Sequence, residues 1–557
     1  MTGEKIVGPP GTGKTSELLR LVEGEIARGL DPSEVGFCSF TRAAASEARA
    51  RVATVKGFGD GLGETAESAT PWFRTVHAAC FRLLGLDRSR VATGPVARDF
   101  LRTKGVEYRD GSARDIEETA LDDPAGGGAD LALGNVILAL DSWARNRLVP
   151  MAEAVRGFDP PARVADEWSA AQAVRVAEEW GSRRRAEELF DFTDMIEAVV
   201  ERGLAPPVRV LFVDEFQDTS PLQWSVLERW ADAAERVVVA GDSLQAIYVW
   251  GGADPGIMVG LGLPQRVLPV TWRLPVSVWR TTRRIEALNR VKELDREWSP
   301  RDGAPEGSVT RIRDDGRAAE LCAAAERDGR TAFWLARNRF FLGTAAEALR
   351  DADIPYANRR GRSPVVNIRA GVRGALLAAN GRPISIRQAA AAVCDTPSTP
   401  GTWLERGAKT RAAAAVKAGR ADAPRGDWRS LVLAWGAKEA LVGALGDPAT
   451  CLTPFPPAKL DPEEAAYLSR LVAARGPRVL TDAPRVEIGT IHSAKGAEAD
   501  TVVLDVAMTR RTADAWARDP DTEHRVYYVA ASRARRDLVV LDAGHARDSY
   551  WPLVSEG

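Results

Sequence analysis

The sequence predicts an α/β fold of two parallel-sheet lobes, each interrupted by a mostly helical inserted subdomain. Three observations predict it. Short apolar runs that read as buried strands alternate with helix-period stretches, the pattern of a parallel layer covered by helices. That alternation breaks twice into long helical stretches and resumes each time. A glycine-rich loop also follows the first strand and opens a helix, as phosphate-binding loops do in such layers.

The elements follow in order. Residues 1–85 alternate short strands and helices. From about 86 to 186 helix-period segments such as LALGNVILALDSWARNRL dominate, broken by Gly126–Gly128 and by the pair Pro160–Pro161. Near 187 the strand pattern returns with VRVLFVDEF and ERVVVAGD. Residues 1–85 and 187–275 therefore read as a first lobe and 86–186 as its insertion. In the second half TAFWLARN and IPYANRR read as strand edges. An Ala-rich helical stretch with Pro and Gly breaks fills 366–482, and RVEIGTIHS, TVVLDVAM and DLVVLDA resume the buried-strand pattern. This gives a second lobe at 276–365 and 483–557, with 366–482 as its insertion.

Composition narrows the function. At roughly 150 residues per domain, a chain of 557 residues suggests three to four domains. A 45% hydrophobic content supports several buried cores and excludes a disordered chain. With 75 basic against 77 acidic residues, the net charge of -2 excludes a polycation, so any nucleic acid must be met by a local groove. The five cysteines form no CxxC pair, which argues against a disulfide framework, a zinc ribbon or an iron–sulfur cluster and for reduced thiols in the cytoplasm. The start, MTGEKIVGPPG, has no apolar signal core, and no apolar run approaches the ~18 residues of a membrane span.

The chemistry begins at GPPGTGKT, Gly8 to Thr15, after the strand Lys5–Val7. Gly8, Gly11 and Gly13 let backbone N–H groups close on phosphate oxygens. Lys14 supplies a point charge for the β/γ-phosphates, and the Thr15 hydroxyl can ligate Mg²⁺. The apolar run Val210–Val213 ends in Asp214, suited to holding Mg²⁺ through water, and in Glu215, placed to deprotonate an attacking water. In VVVAGDSLQAIYVWGG a strand ends at Gly241-Asp242, and the neutral amide of Gln245 can sense the γ-phosphate or the water. Tyr248 and Trp250 would show aromatic faces on one side of an extended segment. Alone they read as core residues; behind the other motifs they read as a ligand surface. Arg273 in PVTWRLP and Arg533 in YVAASRARRD are surface residues on one reading. On the other, they stabilise the transferring phosphoryl group when two lobes close.

The order of these signals resembles that of superfamily 1 DNA helicases of the UvrD/Rep/PcrA type, over almost the whole chain. GPPGTGKT is similar to motif I, CSFTRAAASEARARV to motif Ia and RTVHAACFRLL to motif Ib. FDFTDMI resembles the family's LDFDDLI, VDEFQDTSPLQ its motif II and GDSLQAIYVWGGA its motif III. VTWRLP stands at motif IV, ADIPYANRRG resembles a second-lobe signature, TIHSAKGAEAD resembles motif V and VYYVAASRARRDL motif VI.

The resemblance implies two RecA-like motor lobes, ATP and Mg²⁺ as cofactors, and single-stranded DNA and single-strand/duplex junctions as partners of a chain working as a monomer. It implies that Gln245 couples the γ-phosphate to the DNA site and that Arg273 and Arg533 contact that phosphate. Trp272 stands where the family stacks a Tyr on adenine, and Glu498 where it binds the ribose. Phe40, Thr41, Thr75, His77, Phe192, Tyr248, Trp250 and His492 occupy positions that line the single-strand path. Base stacking there contributes roughly 1–3 kcal/mol per base without reading sequence. Tyr550 and Trp551 read either as an aromatic platform or strand-separating edge, or as packing at a chain end.

Departures accompany the likeness. A P-loop at residue 8 leaves no room for the family's upstream Gln motif, so ATP selectivity is open. Gly251 replaces an Arg near the γ-phosphate, and Arg42-Ala43 replaces Asn-Lys. The second insertion is short, and 24 residues follow Arg533, too few for a nuclease domain. The expected activity is ATP-driven travel on single-stranded DNA, 3′-to-5′ by resemblance, with duplex unwinding in replication, repair or recombination. Rival readings are a translocase that strips proteins with little unwinding, an RNA-dependent motor, and a scaffold without turnover; the intact Lys14, Asp214, Glu215 and Arg533 speak against the last.

Overall fold

A computed structural model describes the chain except for residues 1, 41, 54–65, 110–131, 360–362, 366–367, 399–402, 419–421, 423, 457–458, 545 and 554–557. Its strands gather into two six-stranded sheets, beside a few two-residue pairings. The first sheet contains β1 (Gly3–Val7), β2 (Val35–Ser39), β3 (Phe73–Thr75), β4 (Val210–Val213), β5 (Arg236–Gly241) and β6 (Gln265–Val267). They run in the order β3-β2-β4-β5-β1-β6, every neighbour parallel. β2 and β4 are buried at every position, which is why their sequences, VGFCS and VLFV, carry almost no polar residue. On one face Leu18, Leu19 and Val22 of the helix Lys14–Ala27 pack against Ile6, Phe37, Phe212 and Val238. On the other, Ile196, Leu227 and Trp230 pack against Val7, Leu211 and Val239.

Between β3 and β4 the helices Gly94–Thr103, Leu133–Asn146 and Ala170–Ala186 enclose a core of their own around Phe100, Ile137, Leu140 and Trp180.

The second sheet contains β7 (Ser308–Ile312), β8 (Ala332–Ala336), β9 (Tyr356–Asn358), β10 (Val486–Thr490), β11 (Ala499–Asp505) and β12 (Ala534–Leu541). Its order is β9-β10-β8-β11-β12-β7, again all parallel. The helices between β9 and β10 use small residues to approach closely: a Cβ on Gly371 would lie 2.8 Å from the Ala391 carbonyl carbon. Their buried residues are continuous with those of the sheet, Val372, Leu376 and Val393 sharing one cluster with Trp334, Ile488 and Val503. The two insertions therefore differ: the first has a separate core, the second does not.

The lobes meet through an apolar seam. Leu244 and Ile247, just after β5, share a buried cluster with Trp298, Tyr528 and Ala531 of the second lobe. In the first sheet, Val7 pairs with Gly241 and Val213 with Val239, so Gly8, Asp214 and Asp242 leave the sheet along one edge. Ligands of open α/β sheets bind at that carboxyl edge. Among the described residues no helix is long and apolar enough to cross a membrane.

Candidate nucleotide and nucleic-acid site

The phosphate loop is built by left-handed glycines and by a close neighbour. Gly11 and Gly13 have φ of 74° and 85°, which side chains rarely tolerate. A Cβ on Gly11 would lie 2.5 Å from the Arg273 Cβ, so the loop passes directly under the segment Thr271–Arg273. Two hydrogen bonds lock them together: the Thr271 hydroxyl donates to the Pro10 carbonyl at 2.7 Å and the Trp272 N–H to the Gly11 carbonyl at 2.9 Å. Trp272 is thereby held beside the loop with 71% of its surface exposed, a free aromatic face next to the phosphate cradle. Lys14 bends back across the loop and donates to the Gly8 carbonyl at 2.8 Å, and the missing Cβ of Gly8 makes room for its stem.

The two acids stand opposite. The Thr15 hydroxyl donates to Asp214 Oδ2 at 2.7 Å. Burial, and next the Glu215 carboxylate, push Asp214 up to about 6. A buried carboxylate under that strain, paired with a hydroxyl from the phosphate loop, fits a divalent cation shared with a polyphosphate. Glu215 is set differently. Burial raises it, but Lys14, Lys495, the Gln217 amide and Arg533 together bring it below the usual range. It is therefore an ionised acceptor at neutral pH.

The second lobe brings cations to the same place. Its Glu498 forms an ion pair at 2.5 Å with Arg273, which lies over the phosphate loop. The Arg533 guanidinium is buried and donates to the Val529 carbonyl at 2.9 Å and to the Ser532 hydroxyl at 2.8 Å. Burial, and next the neighbouring Arg273, push Arg533 down to about 9. Two guanidiniums this close favour an anion between them. Lys495, between β10 and β11, crosses the seam: its ammonium donates to Asp218 at 2.8 and 2.5 Å and to the Gln245 carbonyl at 2.7 Å. It also lies 4.8 Å from the centre of the Tyr248 ring.

A chain of polar contacts runs from the acids into the protein. The Gln217 amide donates to Glu215 at 2.5 Å, and its oxygen accepts from the Asp242 N–H at 3.0 Å. The fully buried Asp242 carboxylate accepts from the Gln245 amide at 2.7 Å and the Tyr528 hydroxyl at 3.2 Å, and pairs with Arg296 at 2.8 Å. Arg296 also holds Glu293 at 2.6 Å. The Gln245 side chain is thus turned toward Asp242, while its carbonyl accepts from Lys495 of the second lobe.

The expected strand-lining residues fall into three groups. Tyr248, Trp250 and His492 form one aromatic cluster across the seam, with centroids 5.8 to 6.4 Å apart. Tyr248 and Trp250 do not flank an extended segment. Val249–Gly251 is a tight 3₁₀ turn, so their rings meet edge-on at 89°. His77 and Phe192 pair edge-on at 5.7 Å, Phe192 being 54% exposed, and burial pushes His77 down to about 4, so its ring is neutral. Phe40 follows β2, Thr75 ends the neighbouring β3, and the Thr75 hydroxyl caps the helix Val76–Leu83. Thr41 lies outside the described residues.

Tyr550 is fully buried, stacked on Tyr527 at 3.9 Å and bonded to His524, which makes it a packing residue; Trp551 remains 58% exposed.

Sequence reasoning did not single out Lys495, Asp218 or Arg296. The first two stand inside motifs already recognised, in SAKG and FQDTS. Arg296 and Glu293 lie in a stretch without any motif, where only the fold reveals that they face Asp242.

Residues 3–262 match the UvrD/REP helicase N-terminal domain and residues 469–543 the UvrD-like helicase C-terminal domain. The chain is 27% identical to ATP-dependent DNA helicase UvrD2 of Mycobacterium tuberculosis, over 96% of this chain and 76% of that protein. It is 25% identical to ATP-dependent DNA helicase PcrA of Staphylococcus epidermidis over 45% of this chain and 32% of that one. The putative ATP-dependent DNA helicase YjcD of Bacillus subtilis is 22% identical over 46% and 32%.

Proposed function

The chain belongs to the UvrD-like helicases, and we propose that this ATP-dependent DNA helicase travels along single-stranded DNA, 3′-to-5′, and separates duplex ahead of it. One observation carries the reading: Lys14, Asp214, Glu215 and Arg273 of one lobe face Lys495, Glu498 and Arg533 of the other across a single cleft.

ATP is the substrate of this cleft. Its base stacks on the exposed Trp272 and its phosphates enter the Gly8–Thr15 loop, where Lys14 leaves the Gly8 carbonyl for a phosphate oxygen. Thr15 and Asp214 would hold Mg²⁺, which supplies charge neutralisation on the phosphates. Glu498 turns to the ribose and releases Arg273, which joins Arg533 at the γ-phosphate. That draws the second lobe inward. Glu215 takes a proton from the attacking water, and loss of the γ-phosphate lets the lobes part. The Gln217–Asp242–Gln245 chain passes the change to Lys495, Tyr248, Trp250 and His492. Bases are then gripped on one lobe and released on the other.

The test is unwinding of duplexes carrying a 3′ or a 5′ single-stranded tail, with ATP and GTP compared. The 3′-tailed duplex should open and the 5′-tailed one should not. Opening of the 5′-tailed duplex alone overturns the direction. A nucleotide-cleavage rate that no oligonucleotide, DNA or RNA, accelerates overturns the motor itself.

A further inference from the structure

A second concave surface lies on the other lobe and shares no lining residue with the nucleotide cleft. The helix Val276–Leu288 crosses one face of β7 and β12, and the chain returns there at Trp551–Leu553. Between them is a groove of about 600 Å³. Arg280, Arg284 and Arg311 line it, and among the described residues no carboxylate does. Arg280 is answered by Glu306 at 2.8 Å. Arg284 is exposed and makes no hydrogen bond or ion pair among the described residues. The floor is aliphatic, from Ile285, Leu288, Val309 and Val540, and the rim carries the exposed Trp551 ring. Val309 and Arg311 point to the same side because strand side chains alternate. β7 is also the outermost strand of its sheet, and among the described residues its outer edge joins no ladder.

These features select among anionic ligands. A single strand of nucleic acid needs aromatic faces in series for its bases, and this groove offers one. An aliphatic floor instead takes Leu- or Phe-like side chains, while guanidiniums grip carboxylates through paired N–H donors. An open strand edge accepts the backbone of an extended chain. We propose that the groove binds an extended acidic peptide of a partner protein. In that peptide Asp or Glu residues alternate with large apolar ones, a carboxylate meeting Arg284 and the apolar side chains resting on Ile285 and Leu288.

The test uses the full chain and a fluorescein-labelled synthetic peptide of alternating Asp and Leu, followed by anisotropy. Saturable binding is expected, weakened roughly tenfold or more by Arg284→Glu and by added salt. Trp551→Ala removes a half-exposed ring that also faces Trp516 at 6.3 Å and should weaken binding too, giving a reading that does not depend on charge reversal. DNA-stimulated ATP hydrolysis should be unchanged in all variants, which certifies their fold. The proposal fails if the peptide does not bind, if the variants bind it as well as the unaltered chain, or if a peptide with Lys for Asp binds equally. Displacement of the peptide by oligothymidylate would also overturn it, because the groove would then be a nucleic-acid site.

Discussion

Glu215 has a φ of 53°, a left-handed conformation that costs a non-glycine residue about 1 kcal/mol or more. The strain is kept because the turn directs its carboxylate toward Lys14, Lys495 and Arg533, the cations that hold it ionised. Asp214, one residue earlier, has the opposite setting, pushed up to about 6 and bonded to Thr15. On the proposed mechanism, adjacent carboxylates with opposite shifts would divide the work, one poised for a cation and one for a proton. Glu215→Gln should therefore leave nucleotide binding near normal and lower steady-state ATP turnover roughly 10²–10⁴-fold, measured as phosphate release beside binding of a fluorescent ATP analogue. Turnover at the unaltered rate would remove Glu215 from the chemistry. These two acids were legible in the sequence because DE ends a buried apolar run behind a phosphate loop. Their division of labour was not, since it depends on Lys495 and Arg533, more than 270 positions away.

At the scale of elements, the turn between β10 and β11 does more than join strands. Lys495 projects from it across the seam, with 8% of its side chain exposed, onto Asp218, with 4% exposed. Removing one partner of a buried pair leaves the other charge uncompensated, typically at a cost of about 3–5 kcal/mol. Lys495→Met should lower the denaturant midpoint accordingly and loosen the coupling of ATP turnover to DNA. Adding Asp218→Asn should restore part of the stability, because the stranded carboxylate is gone. A single variant as stable as the unaltered chain would show that the bridge does not join the lobes. Legibility varied with burial here too. β2, β4 and β8 are buried throughout and stand out as apolar runs. β6 and β7 sit at the sheet edges, their QRV and SVTRI have no fully buried position, and no run betrays them. The Tyr248–Trp250 pair misled for a related reason: a spacing of two suits a strand or a tight turn equally, and the glycines at 251 and 252 favour the turn.

For the whole molecule, what matters is that the contacts between lobes are of two kinds. Leu244 and Ile247 pack into the second lobe and provide a seam without direction. The polar contacts, Lys495 with Asp218, Tyr528 with Asp242 and Arg511 with the Pro160 carbonyl at 3.1 Å, are directional and lie around the seam. Apolar contact tolerates sliding, whereas ion pairs and hydrogen bonds exist in discrete arrangements. Such a seam suits two positions rather than a continuum. The nucleotide can move that balance only through contacts that differ between the two positions. Arg533 is the residue to test, because an anion would relieve both its burial and its repulsion from Arg273. Dyes placed at the exposed positions Arg28 and Arg327, one on each lobe, should report higher energy transfer when a non-hydrolysable ATP analogue binds. In Arg533→Ala the analogue should still bind through Lys14 and the loop, but the transfer should stay at its nucleotide-free value. If the analogue changes nothing in the unaltered chain, nucleotide does not drive closure. If Arg533→Ala closes normally, the driving contact lies elsewhere, and Arg273, released from Glu498, becomes the group to alter next.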